Sequence, residues 1–144
     1  MVNAELMGHK ISSLNMRNAL EGSGELEIKR NSDFDVTYKF ESGIAVATLA
    51  ECLRTDDDLN NFYIDLTLEG VFHITGVKSE ASKKKAHIKC YDDLFPYAAQ
   101  IISQLTMNSG MGGVVLEKRT NQSVSVTSGE KPKSDKIIEF KIQR

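Results

Sequence analysis

The chain has 144 residues with 40% hydrophobic and 26% charged, which is the balance of an ordinary folded protein, and its formal net charge is -2. That length reads as a single domain over 1–144, with enough interior to fold without staples. The slightly acidic balance and the absence of Trp argue against a nucleic-acid or membrane surface as the main partner. No apolar run approaches the roughly 18–20 residues that a membrane helix needs, and residues 1–10 lack a signal-peptide core. Cys52 and Cys90 lie far apart without paired spacing and read as reduced, buried thiols of a cytoplasmic protein.

In chain order, Ile11, Leu14 and Met16 sit on a first strand whose alternation is broken once, as a bulge would break it. Gly22-Ser23-Gly24 is a turn. Leu26 and Ile28 alternate with charged neighbours in a short strand, which Asn31-Ser32-Asp33 interrupts. Phe34, Val36, Tyr38 and Phe40 then alternate with Asp35, Thr37, Lys39 and Glu41 in a clean strand. Glu41-Ser42-Gly43 turns into residues 44–54, which read mostly as strand although their Ala content permits helix. Asp56-Asp57-Asp58-Leu59-Asn60-Asn61 is a turn.

Residues 62–105 organise the rest. Phe62, Ile64, Leu66, Leu68, Gly70, Phe72 and Ile74 alternate without a break, so a long strand has one dry face, and Gly76 ends it. Tyr63, Asp65, Thr67 and Glu69 occupy the wet face. A polar connector over 77–91 carries Lys83-Lys84-Lys85, read as a solvated loop or loose helical turn. A helix is expected after Asp92-Asp93, with either Asp as cap and Pro96 in the first turn. Leu94, Ala98, Ile101, Ile102 and Leu105 make one stripe, which Phe95 and Ala99 widen. An arc that broad suits a helix sandwiched between two surfaces, the second being another copy of the chain. Gly110 stops the helix. Val124 and Val126 make a weak strand, 128–136 reads as a flexible linker, and Ile137, Ile138, Phe140 and Ile142 form a last strand that docks back.

No catalytic constellation stands out. His9, His73 and His87 lack metal-ligand spacing, and neither cysteine supplies a second ligand nearby, so no metal or other cofactor is expected. The aspartate run lacks the spaced ligands of a calcium loop. The glycines of Ser109-Gly110-Met111-Gly112-Gly113 are not followed by the Lys-Ser/Thr of a phosphate cradle. The chain looks built to hold something rather than to convert it, and an enzyme is not expected.

Gly70-Val71-Phe72-His73-Ile74-Thr75-Gly76, a connector, and Leu94-Phe95-Pro96-Tyr97-Ala98 resemble the hallmark segments of SecB-type protein-export chaperones. Cys90 also falls where that family often has a connector cysteine. The resemblance is specific over 62–105 and fades after Gly110. It implies an α+β fold: an antiparallel β-sheet of about four strands with one main helix packed on one face, here with extra C-terminal strands. It implies a homodimer or homotetramer, with Leu94, Ala98, Ile101, Ile102 and Leu105 at the oligomer interface. It also implies an ATP-independent holdase that binds non-native polypeptides, including secretory precursors, in apolar grooves. Phe95, Tyr97, Met107, Met111, Val114 and Val115 are the candidate client-binding residues, with plain core or subunit interface as the alternative for each. Tyr63 and Asp65 match positions of the family's contact with the SecA motor. The chain departs from the pattern at Ala99, where the family has Arg. It also lacks counterparts of the second helix and the acidic C-terminal tail. A chaperone or binding module dedicated to one partner, such as an antitoxin, is the alternative on the same scaffold.

Overall fold

The computed structural model describes residues 1–21, 23–55, 61–118 and 135–141. Five strands, β1 (Asn3–Asn18), β2 (Ser23–Lys39), β3 (Ile44–Thr55), β4 (Phe62–Thr75) and β5 (Asp135–Lys141), form one antiparallel sheet in the order β1-β4-β3-β2-β5. One helix, α1 (Glu80–Met107), crosses one face. This is the α+β architecture expected, with a C-terminal strand added at the β2 edge.

The strict alternation of β4 sets the sheet's two faces. Phe62, Ile64, Leu66, Leu68, Phe72 and Ile74 are buried under the helix, and the residues between them face away. On β3, Ala45, Ala47, Leu49, Leu53 and Thr55 follow the same phase. The small alanines let the helix lie close. Gly70 has the same role on β4, because a Cβ there would sit 2.9 Å from Leu94 Cδ1 and 3.3 Å from Leu6 Cδ1. On β1 the register shifts twice, between Leu6 and Gly8 and between Ile11 and Ser13. Each shift inserts one residue and flips the parity. Leu6, His9, Ile11, Leu14 and Met16 therefore all pair with residues of the buried face of β4, although their spacing fits no single alternation.

Three expectations are corrected. First, β2 does not stop at Asn31-Ser32-Asp33. It runs unbroken, pairing with β3 from Ile28↔Thr55 to Lys39↔Ile44, and Ser23-Gly24 begins it rather than forming a turn. The interruption in hydrophobicity is a buried polar group. Glu51 of β3 points inward and is fully buried. It accepts from Arg30 Nε at 2.9 Å, Arg30 Nη2 at 2.8 Å and Ser32 Oγ at 3.0 Å. This bidentate fork supplies the hydrogen bonds that a buried carboxylate requires. Burial works against the Arg30 charge, yet Glu51 outweighs it and the guanidinium pKa is raised.

Second, α1 begins at Glu80, not after Asp92-Asp93, and most of the supposed connector is helix. Ser79 caps it, accepting from the Ser82 N–H while the Ser82 hydroxyl takes the Ser79 N–H. Pro96 lies inside the helix, on its exposed side. Its missing donor leaves one backbone acceptor to solvent, and tertiary packing overrides a propensity cost of ~3 kcal/mol. Ala86, His87, Cys90, Tyr91, Leu94, Phe95, Ala98, Ile102 and Thr106 form the buried stripe. Phe34 of β2 meets His87 and Tyr91 edge-on at 5.1 and 5.2 Å. Lys83, from the basic run, lies over the Tyr38 ring at 5.2 Å, and its carbonyl accepts from Tyr38 Oη.

Third, Asp135 and Lys136, expected in the linker, already belong to β5. The aspartate turn over 56–60, the weak strand at Val124 and Val126, and the linker as far as 134 lie outside the described residues. Cys52 and Cys90 are free thiols, Cys90 buried and Cys52 partly so.

Removing the Glu51 carboxylate by Glu51→Ala strands Arg30 against the core. Since the Arg30 side chain keeps 17% of its exposure, the cost should fall at the lower end of the buried-pair range, ~3 kcal/mol by urea unfolding. The double variant Arg30→Met/Glu51→Leu should recover most of it. A second expectation concerns Cys90, whose pKa burial pushes from 9.0 up to about 12, with Asp93 adding to the rise and Lys89 opposing it. The unfolded thiol ionises first, so the stability this group contributes is intact below pH 9.0 and is lost as pH climbs to about 12. Unfolding free energy should fall across that window by up to ~1.4 kcal/mol per pH unit from this thiol. Cys90→Ala should flatten the slope.

Candidate functional site

The geometry of α1 on the sheet leaves two different flanks. On the β1 side, three contacts fix the alignment. Lys89 Nζ donates to the Ala4 carbonyl at 3.4 Å, His9 stacks on Tyr97 at 3.9 Å, and Asn18 Nδ2 donates to the Ser109 carbonyl at 3.2 Å. The strand and helix therefore run alongside each other from one end to the other. Between these contacts lie Ile11 and Leu14 of β1, 46% and 42% exposed although they are on the helix side of the sheet. On the helix, Tyr97, Ile101 and Leu105 follow at i, i+4 and i+8, which is one stripe. Tyr97 is exposed, and Ile101 and Leu105 are half-buried against the core. The result is an apolar strip with no cover from this chain's described residues.

On the other flank the chain covers itself. After the helix, Gly110, Gly112 and Gly113 all take positive φ, and residues 111–118 turn back beside α1 without regular secondary structure. Met111, Val114 and Leu116 are buried, whereas Val115 and Glu117 are exposed. Polar contacts fix this strap. The Val114 N–H donates to Thr106 Oγ1 at 2.6 Å, Arg30 Nη1 donates to the Glu117 carbonyl at 2.7 Å, and Lys118 Nζ lies 3.0 Å from Asp92 Oδ1. The Met107 side chain arches over Gly113, where an added Cβ would lie 3.5 Å from Met107 Cε.

The six candidate client-binding residues divide accordingly. Phe95, Met111 and Val114 are buried in the chain's own core, Phe95 tilted against Tyr91 at 5.7 Å. Tyr97, Met107 and Val115 are exposed. Of the five residues expected at an oligomer interface, Leu94, Ala98 and Ile102 are fully buried against the chain's own sheet, which leaves Ile101 and Leu105 on the flank. Sequence reasoning passed over Ile11 and Leu14 as surface residues because a strand face of that polarity reads as core. It also passed over Arg30, Thr106 and Leu116. The polar interruption at Arg30 and Ser32 was the signal for the first of these, and the other two left none.

Tyr63 and Asp65 lie on the opposite face. Asp65 pairs with Arg54 at 3.1 Å, and the Arg54 guanidinium sits 5.7 Å from the Tyr63 ring centroid. Arg54 Nε also reaches Cys52 Sγ at 3.2 Å, while burial pushes the Cys52 thiol pKa up. Lys10 opposes Glu69 across the β1–β4 pair on this face. Charge there is mixed rather than purely acidic.

Among the described residues no three His, Cys, Asp or Glu side chains are grouped to hold a metal ion. No helix of these residues is long and apolar enough to cross a membrane. A cleft beside residues 1–4 gathers Lys85 and Lys89, and Lys89 is already paired with Asp93.

Comparison with known proteins agrees with this arrangement. The family model described as preprotein translocase subunit SecB matches residues 14–123. A protein-export protein SecB from Rhizobium johnstonii is 36% identical over 87 residues, covering 60% of this chain and 48% of that protein. One from Bartonella bacilliformis is 38% identical over 63 residues, covering 43% and 40%. The chain thus spans about half or less of the length of the curated relatives it matches. Among solved structures, a SecB-like chaperone of Mycobacterium tuberculosis in complex with a ChAD peptide from an antitoxin superposes with a TM-score of 0.58. It covers 79% of this chain and 89% of that one at 14% identity, a likeness of fold. With the family model spanning well over half its residues, the chain belongs to the SecB family.

Proposed function

We propose that the protein is an ATP-independent chaperone that holds non-native polypeptides, rather than an enzyme, and that it acts in the cytoplasm. The observation that carries this reading is the uncovered apolar strip between β1 and α1. Ile11, Leu14 and Tyr97 present exposed large side chains that an extended chain can cover, and the half-buried Ile101 and Leu105 beside them are left for the subunit interface. Each Leu- or Phe-sized client side chain that it covers contributes ~1.5–3 kcal/mol. A few such contacts hold a chain without closing around it, and repetition on an oligomer adds avidity. Exposed Met107 and Val115 extend the apolar surface at the C-terminal end of the helix, and methionine adapts to varied partners. No cofactor enters this mechanism.

Secretory precursors as clients, delivery to SecA through Tyr63 and Asp65, and assembly into a homodimer or homotetramer belong to the same proposal. The Arg54–Asp65 pair would have to open for that carboxylate to serve a partner. A second reading is a chaperone dedicated to one client. The antitoxin peptide bound to the M. tuberculosis SecB-like chaperone favours it.

Substoichiometric protein should suppress light scattering by an unrelated aggregating polypeptide without ATP. Unchanged scattering at molar excess would exclude general holdase activity, and capture of one dominant partner from cell extract would then favour the dedicated reading. Ile101→Asp places a charge at the half-buried edge of the strip. It should lower the sedimentation mass of the oligomer while the circular dichroism spectrum stays native. A variant of unchanged mass would remove Ile101 from the subunit interface.

A further inference from the structure

The strap over 111–118 has the features of a bound peptide. It buries Val114 and Leu116 two residues apart, and it exposes Val115 and Glu117 between and after them. Its main chain is engaged in both senses: Thr106 Oγ1 accepts a backbone N–H at 2.6 Å, and Arg30 Nη1 donates to a backbone carbonyl at 2.7 Å. Neither contact reads a side chain of the strap, so any extended segment could make the same two bonds. Side-chain recognition is apolar volume at alternate positions, as in other strand-like peptide complexes, with one ion pair, Lys118 to Asp92, at the far end.

The floor under the strap tolerates its departure. Glu51 keeps both guanidinium bonds and the Ser32 hydroxyl, all made within the sheet. Arg30 Nη1 loses its acceptor, Asp92 its Lys118 partner and Thr106 Oγ1 its incoming N–H; the Arg30 side chain already reaches solvent, and the Thr106 hydroxyl still donates to the Ile102 carbonyl. Gly112 and Gly113, both at positive φ, provide a hinge immediately before the docked part.

We propose that residues 113–118 are a resident occupant of a second peptide groove, lying between α1 and the Arg30–Glu51 pair. This groove takes extended client segments with apolar side chains two residues apart, and only when the strap leaves. The inference rests on the chaperone reading and adds self-competition to it. Because the open groove is a minor state, the strap lowers the apparent client affinity by the fraction of time it is open. Cutting its anchors raises that affinity.

The test uses the full chain and a fluorescein-labelled synthetic peptide, Met-Gly-Gly-Val-Val-Leu-Glu-Lys, which is the sequence of 111–118. Anisotropy should show weak binding to the parent chain and at least tenfold tighter binding to Leu116→Ser. Lys118→Ala, which removes only the strap's own cation beside Asp92 and leaves every groove side chain in place, should shift affinity in the same direction if Leu116→Ser fails to fold. At saturating peptide the Val114 amide of the parent chain should exchange faster with deuterium. Equal affinities for parent and variants, or a Val114 amide that stays protected at saturation, would overturn the proposal. If the peptide does not bind any variant while aggregation suppression persists, the self-competing groove fails and the chaperone reading stands. Loss of suppression as well would remove both.

Discussion

A single helix cannot cover a five-stranded sheet. The helix is ~10–12 Å across with its side chains, whereas adjacent strands lie ~4.8 Å apart, so α1 shields little more than two strand spacings. Gly70 and the alanines of β3 fix where it lies, by admitting Leu94 and Ala98 to the middle of the sheet. Everything else about the apolar face follows from that placement. One flank is filled by the chain's own strap, and along β1 the described residues leave the other open.

The two flanks differ in how they are held. The strap side has polar fixtures, with a buried carboxylate, an arginine and a threonine hydroxyl that orient main chain. The β1 side has aromatic and aliphatic surface, with polar contacts only near its ends. Fixtures that bind backbone confer direction without sequence preference, and bare apolar surface confers neither.

The sequence revealed the elements whose patterning was simple. β4 alternates cleanly and lies where its alternation puts it, and β3, whose alanines also permitted helix, is the strand it was read to be. β2 read as two pieces because Arg30 and Ser32 face inward to satisfy Glu51, and hydrophobicity alone cannot register a polar group with a buried partner. The first half of α1 read as a connector because Lys83-Lys84-Lys85 looks solvated and Pro96 looks like a first-turn residue. The inward set of Ala86, His87, Cys90 and Tyr91 carried the helical spacing, but contained too little apolar volume to declare it. At the candidate site, Tyr97, Met107 and Val115 are exposed. Phe95, Met111 and Val114 are interior, because the side to which an extended strap turns alternate residues depends on tertiary contacts made elsewhere.

The doubled register shift of β1 has a consequence for how the molecule behaves in a crowd. β1 ends the sheet, and along its sixteen residues roughly every second amide and carbonyl faces away from β4, a row that would otherwise be a straight template for stacking. The extra residues Met7 and Ser12 divide that row into three shorter runs, and each bulge adds local twist. A sheet edge broken in this way is a poor template on which another chain could add a strand.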